Sequence, residues 1–146
     1  MITIQEAKTK SGLTEFIKFP FSLYKGNKYW VPPIISDELA TFDKTKNPAF
    51  DSAEATFYLA YKNNDIVGRI AVIINWDEVN HQQKKKVRFG WFDVIDDIAV
   101  TKALLQKVYE IGQKNNLEYV EGPMGFSNLD KVGVLTEGFD ELGTMI

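Results

Sequence analysis

The sequence predicts a mixed α/β fold of the α+β type, in which a mostly antiparallel sheet is flanked by helices. The first indication is a β-hairpin over 55–75, where two apolar runs rich in β-branched and aromatic residues are joined by the polar turn 62–65. The second is an amphipathic helix over 98–114, in which apolar residues recur at three or four positions. Strands at 87–94 and 117–121 flank this helix, and a strand–helix–strand unit ordinarily returns its strands nearly parallel.

The first fifty residues predict a strand followed by helical segments. Alternation over 2–5 is typical of a half-buried strand, and a helix is expected to open at Ser11. Pro20 lacks an N–H but suits a first helical turn, so it is predicted to begin a second short helix through Tyr24. Adjacent prolines then favour an extended path. Residues 36–47 are expected to form one helix and a loop.

In the second half of the sequence, the ends of the predicted helices and strands are marked more clearly. Residues 76–86 resemble a short polar helix or loop, and Gly90 indicates a bulge or close backbone approach inside its strand. Asp97 is placed to cap the helix that follows, and Asn115-Asn116 to end it. Five of the ten glycines follow Glu121, so the tail 121–146 is expected to be rich in loops.

Composition narrows the function classes. The 146 residues carry a net charge of -3 with 45% hydrophobic residues, as in ordinary globular proteins. The absence of cysteine excludes disulfide scaffolds, thiolate zinc sites and cysteine nucleophiles. The slightly acidic balance argues against a dedicated nucleic-acid binder. No apolar run approaches the ~20 residues of a membrane span, and the first residues lack a signal-peptide pattern. We therefore expect no nucleic acid, no membrane and a cytoplasmic location.

The single histidine and a short basic run are weak evidence for a functional site. His81 is the single histidine and lies in a polar stretch, so a surface position is favoured over a role as base or ligand. The run Lys84-Lys85-Lys86 with Arg88 could steer an anionic ligand, or bind nucleic acid or a membrane surface with steep salt dependence. Such a run is more often a solvated connection before a strand, and that reading is preferred.

Acidic residues gather where the last long strand ends and the helix begins. Asp93, Asp96 and Asp97 could serve as acid and base or hold a divalent cation, although Asp97 is better explained as the helix cap. The free N–H groups at a helix start can receive a phosphate, and here they belong to Ile98, Ala99 and Val100. No Walker loop and no G-x-G-x-x-G follows any predicted strand.

A glycine–proline loop follows the last predicted strand. The stretch Gly122-Pro123-Met124-Gly125-Phe126-Ser127 is usually just a turn, yet ligands commonly sit beyond the carboxyl ends of strands in α/β sheets. Tyr119, Phe126 and Ser127 are therefore candidates for lining a pocket. Aromatic core plus turn is the alternative, and it is favoured for each of them.

Several stretches together resemble one family. The stretches are Phe16-Ile17-Lys18-Phe19-Pro20-Phe21-Ser22-Leu23-Tyr24, Trp30-Val31-Pro32-Pro33, Lys46-Asn47-Pro48-Ala49-Phe50, Val67-Gly68-Arg69-Ile70, the glycine–proline loop above, and Glu137-Gly138-Phe139-Asp140. They are similar to the N-terminal part of a large group of bacterial GNAT-like proteins, which have the acyl-CoA N-acyltransferase fold. The resemblance covers nearly the whole chain, and it indicates membership of this group more strongly than it indicates an enzymatic activity.

The resemblance implies a GNAT-like mixed sheet with a splayed central strand pair that holds acetyl-CoA. The pantetheine would pair with the strand backbone, at Trp91, Phe92 and Val94. The pyrophosphate would meet the helix start, at Ile98, Ala99 and Val100. GNAT enzymes usually carry an Arg/Gln-x-x-Gly-x-Gly/Ala loop before this helix, and this chain has Asp96-Asp97 there instead. Two carboxylates would repel a pyrophosphate.

The resemblance further implies an N-acyltransferase, or a fragment of one, that moves an acetyl or acyl group from acyl-CoA to a small-molecule amine or peptide. Asp93 and Glu121 are the candidate bases, and Ser127 or Tyr119 would protonate the leaving thiolate. No metal is expected. A catalytically silent GNAT-like domain that binds a small ligand or a protein partner is the alternative, and the Asp96-Asp97 loop favours it.

The resemblance also bears on domain organisation. Residues 1–146 are expected to form one GNAT-like domain with a glycine-rich tail over 121–146. Members of the group continue well past the Gly138-Phe139-Asp140 motif, so we expect the chain to be part of a longer protein.

Overall fold

A five-stranded mixed sheet organises residues 1–143, the part of the chain that the structure, a computed structural model, describes. Its strands stand in chain order, from β1 to β5. The elements are β1 (Ile2–Glu6), α1 (Lys10–Leu23), α2 (Ile35–Thr41), a 3-10 turn (Pro48–Asp51), β2 (Ala53–Lys62), β3 (Asp65–Asn75), α3 (Trp76–Asn80), β4 (Lys86–Val94), α4 (Ile98–Lys114) and β5 (Tyr119–Glu121).

The predicted hairpin is confirmed as β2 and β3. Lys62 faces Asp65 across the turn, and Asn63 and Asn64 both adopt positive φ, at 52° and 70°. Asparagine tolerates this left-handed conformation, which a two-residue hairpin turn requires. The pairs β1–β2, β2–β3 and β3–β4 are antiparallel, whereas β4 and β5 are parallel, as the strand–helix–strand pattern predicts.

Helices cover both faces of the sheet. On one face α4 buries Val100, Leu104 and Val108, the stripe that the periodicity predicts. The other face is covered by α1 and α2, and Phe16 of α1 packs edge-on against Phe42, the residue that follows α2. None of the helices in the described residues is both long enough and apolar enough to cross a membrane. Residues 122–143, most of the predicted glycine-rich tail, contain no helix or strand, while 144–146 lie outside the described residues.

The prediction that Pro20 begins a second helix is wrong. Helix α1 runs unbroken over Lys10–Leu23 with Pro20 inside it. Proline cannot donate to the carbonyl four residues earlier, at Phe16, and Arg69 Nη1 donates to that oxygen at 2.9 Å instead. The helix continues because a buried side chain from β3 satisfies the acceptor that proline leaves free.

Candidate functional site

Strands β4 and β5 pair at one end and separate at the other. Lys86–Arg88 of β4 faces Tyr119–Glu121 of β5, and the chain then follows β4 only as far as Met124, whose N–H donates to Phe89 O at 2.8 Å. No strand of the described residues pairs with the outer edge of β4 from Trp91 to Val94. This is the separation that the family resemblance implies, although β5 is the last strand of the sheet here.

A bulge in β4 marks the point of separation. The pairing of β4 with β3 shifts between Arg69 and Ala71, and Trp91 has a φ of 43°. A Cβ on Gly90 would lie 2.1 Å from Met124 O, so only glycine lets the two segments approach this closely. Both predictions for Gly90, a bulge and a close approach, are confirmed.

The side chain of Trp91 points away from this edge, into the core. It is 5% exposed, and its indole N–H donates to Glu38 at 2.7 Å. The ammonium of Lys131 also contacts Glu38 and lies 5.1 Å from the centre of the Trp91 ring. Glu38 therefore ties α2, the β4 bulge and the C-terminal segment together.

Asp93 lies at the open end of β4, where its carboxylate is held by two partners. Arg69 donates to Oδ2 from Nε and Nη2, both at 2.7 Å, and the Tyr24 hydroxyl donates to Oδ1 at 2.8 Å. Burial, followed by the nearby Asp93 charge, raises the pKa of Tyr24 well above its ordinary value. Asp93 is thus a carboxylate whose direction is fixed by Arg69 and Tyr24.

The other predicted base lies at the opposite end of β4. Glu121 faces Arg88, five positions from Asp93, which is about 16 Å at ~3.3 Å per residue. Its carboxylate contacts the Lys86 ammonium, and Tyr119 is half-exposed opposite that lysine. The structure therefore does not bring Glu121 and Tyr119 to the place where it puts Asp93.

Ser127 lies nearer the bulge, on the segment after β5. It is exposed, and its hydroxyl accepts the N–H of Leu129 at 3.3 Å. Together with Asn47 and Asp130 it borders an open groove of about 430 Å³. Phe126 belongs to the core at 9% exposed, and it also reaches this groove.

The preferred reading of the basic run is wrong for two of its members. Lys84 and Lys85 are exposed, but Lys86 and Arg88 are only 5% and 2% exposed. Arg88 Nη2 donates to Glu78 at 2.7 Å, and Nη1 donates to the carbonyl of Phe126 at 3.2 Å. Arg88 therefore links the segment after β5 to the sheet through hydrogen bonds. The alternation of β4 buries these side chains, and carboxylates from α3 and β5 neutralise them.

The start of α4 is closed by its own cap, as predicted. Asp97 Oδ1 accepts the Ala99 N–H at 2.9 Å, and its carbonyl accepts the Val100 N–H at 3.0 Å. Lys62, at the end of β2, donates to Oδ2 at 2.9 Å. The Lys62 hydrogen bond first, and then that of Ala99, holds the pKa of Asp97 below its ordinary value. Two of the three amides predicted to meet a pyrophosphate are thus already bonded within the chain.

His81 lies on the surface, as expected. Its side chain is 78% exposed and lies 3.3 Å from Asp77. Among residues 1–143 no group of three or more His, Cys, Asp or Glu side chains is arranged to hold a metal ion.

Three residues of this region escaped the sequence analysis, namely Tyr24, Lys62 and Arg69. Arg69 did carry a signal, because an arginine inside the apolar strand 66–74 must find a buried partner. Tyr24 stood only within a family stretch, and nothing in the sequence connects Lys62 with Asp97. Their contacts span 69 and 35 positions, distances at which local patterns carry no information.

The fold is that of the GNAT acetyltransferases. An aminoglycoside acetyltransferase from an uncultured soil metagenomic sample, solved with sisomicin, superposes with a TM-score of 0.56 at 12% identity, covering 86% of this chain and 77% of that one. A tandem GNAT protein from the clavulanic acid biosynthesis pathway gives 0.57 at 11% identity, covering 78% and 34%. A putative acetyl transferase from Pyrococcus furiosus gives 0.53 at 14% identity, covering 88% and 86%. The chain therefore has a GNAT-like fold.

One curated relative matches by sequence. Protein YghO of Escherichia coli (strain K12) is 32% identical over 131 residues, which is 90% of this chain. The chain spans 33% of the length of that relative. No family model matches the chain.

Proposed function

We propose that the chain is a GNAT-like N-acyltransferase unit that transfers an acetyl or acyl group from acyl-CoA to the amine of a small molecule or peptide. The observation that carries the proposal is the open edge of β4 from Trp91 to Val94, which begins at the bulge. An unpaired strand edge offers N–H and C=O groups to an extended ligand that contains amides. The fold shared with acetyltransferases supports the same reaction class. The expected cytoplasmic location belongs to this proposal.

Acetyl-CoA fits this region in part. The β4 edge suits the amide-containing arm, with Trp91, Phe92 and Val94 as its proposed partners. The start of α4 does not suit the pyrophosphate, because Asp97 occupies the Ala99 amide and carries a negative charge. When bound, the thioester would supply an activated acyl group.

Asp93 is the proposed base at this edge. An attacking amine must be neutral, and a carboxylate held at the strand end can take up the proton that the amine loses. Arg69 and Tyr24 fix its direction. Ser127 remains a proposed proton donor on the segment beside the bulge, and Glu121 and Tyr119 remain candidates at the other end of β4.

A catalytically silent GNAT-like unit that binds a small ligand or a protein partner is the second candidate. The closed start of α4 favours it, because free helix-start amides are what a pyrophosphate needs.

Titration of acetyl-CoA into the 146-residue chain, followed by calorimetry, separates the two functions. We expect saturable binding at micromolar concentration, after which amine acceptors can be screened for turnover. An absence of heat at two temperatures would contradict the acyltransferase proposal and leave the silent unit. Two temperatures are needed because a binding enthalpy can pass through zero at one of them.

A further inference from the structure

We infer that this chain recognises its acyl donor through the β4 edge alone, without a pyrophosphate contact at α4, so that an acyl-pantetheine serves as well as acyl-CoA. The inference rests on the proposed function and specifies its ligand. It would make the pantetheine thioester, rather than the nucleotide, the determinant of binding.

Hydrogen bonds within the chain use three of the N–H donors at the start of α4, those of Ala99, Val100 and Thr101. Ala99 N–H bonds to the Asp97 carboxylate, and the N–H groups of Val100 and Thr101 bond to the Asp97 carbonyl at 3.0 and 3.2 Å. A phosphate would therefore have to displace a carboxylate that is already well placed.

Charge at the same place opposes a phosphate. Asp96 is exposed beside the cap, and the Asp97 carboxylate, whose pKa is lowered, is negatively charged at neutral pH. Lys62 places a cation beside this helix start, and its ammonium is already paired with Asp97 at 2.9 Å. A pyrophosphate placed here would be repelled by these carboxylates, and Lys62 would not offset the repulsion because its charge is already paired with Asp97.

The β4 edge is independent of this closure. Its bulge is held by other residues, through the bond from Trp91 to Glu38 and the packing of Gly90 against Met124. The unpaired edge of β4 and the capped start of α4 therefore depend on different contacts.

The test compares acetylpantetheine with acetyl-CoA by calorimetry on the full chain and on Asp97→Gly. Glycine is tolerated at a helix cap, so this variant should fold while freeing the Ala99 amide and the Lys62 ammonium. We expect the unaltered chain to bind both ligands with dissociation constants within about threefold. Asp97→Gly should tighten acetyl-CoA about tenfold and leave acetylpantetheine unchanged, because only the former carries a pyrophosphate.

Asp96→Gly is the matched control, since it removes the same charge from the adjacent position without touching the cap. It should leave acetylpantetheine unchanged and tighten acetyl-CoA by no more than about threefold, because it removes one repelling charge while Asp97 still caps the helix. If the unaltered chain prefers acetyl-CoA by about tenfold or more, the inference fails and the proposed function stands. If it binds neither ligand, the proposed function fails together with the inference.

Discussion

Arg69 links three elements through one buried guanidinium. It bonds to the carbonyl of Phe16 in α1, pairs with Asp93 in β4 and lies 5.1 Å from the centre of the Phe16 ring. Because Arg69 is 5% exposed, its charge depends on Asp93 for compensation. The proposed base is therefore also a structural partner, and its two roles must be measured separately.

Asp93→Asn should lower the free energy of unfolding by about 3–5 kcal/mol, because it leaves a buried arginine without its counter-charge. Urea unfolding followed by circular dichroism measures this change. Asp96→Asn, an exposed carboxylate three positions along, should stay within about 0.5 kcal/mol of the unaltered chain. Equal small effects of both variants would show that Arg69 does not depend on Asp93.

At the scale of elements, β4 holds the glycine–proline segment against its edge up to Gly90. Gly90→Ala should destabilise the fold by about 1–3 kcal/mol, because the new Cβ would meet a backbone oxygen at 2.1 Å. Thermal unfolding is the measurement. Gly143→Ala is the control, since its Cβ would meet Tyr29 O at an ordinary 3.7 Å. An unchanged melting temperature for Gly90→Ala would mean that the segment can move away from β4 freely.

Local pattern predicted the elements whose stability is local. The hairpin turn at Asn63 and Asn64, the stripe of α4 and its Asp97 cap all follow from neighbouring residues, and all are confirmed. The parallel return of β5 follows from connection geometry rather than from any single residue. The sequence and the family resemblance could thus predict that β4 and β5 separate where the β4 edge opens.

The features that could not be predicted from the sequence depend on contacts between residues that are far apart in the chain. Pro20 stays inside α1 because Arg69 satisfies Phe16 O from 53 positions away. Lys86 and Arg88 are buried because Glu78 and Glu121 arrive from α3 and β5. Sequence analysis assesses a charged or helix-breaking residue from the residues next to it in the chain. Whether that residue is buried depends on the residues that the fold brings near it.

At the scale of the whole molecule, the sheet separates two cores that share its strands. Phe57 and Ile73 point to the side of α1 and α2, while Ile70 and Val72 point to the side of α4. The site elements bridge this division, because β4 contributes Trp91 to the first core and Val87 to the second. Substitutions in either core therefore act on a strand that also forms the open edge proposed to bind the acyl donor.

Titrating groups spread over the molecule predict how its stability depends on pH. Hydrogen bonds lower the pKa of Asp97, through Lys62, and of Glu110, through Lys107. Their contribution is present above their ordinary pKa values, 3.8 and 4.5, and is lost as pH falls through the lowered ones. Burial raises the pKa of Tyr24 and of Tyr58 above 10.0, so their contribution is complete below pH 10 and is lost as pH rises beyond it.

The urea midpoint should therefore stay level between about pH 5 and 9 and fall on both sides. Tyr24→Phe should make the alkaline fall less steep without abolishing it, since one raised phenol is removed and Tyr58 still ionises, and it should leave the acid side as it was. Tyr109→Phe, at a position that is 48% exposed, is the matched control and should keep the alkaline fall. If Tyr24→Phe loses stability equally at all pH values, the hydrogen bond to Asp93 contributes to packing but not to the alkaline transition.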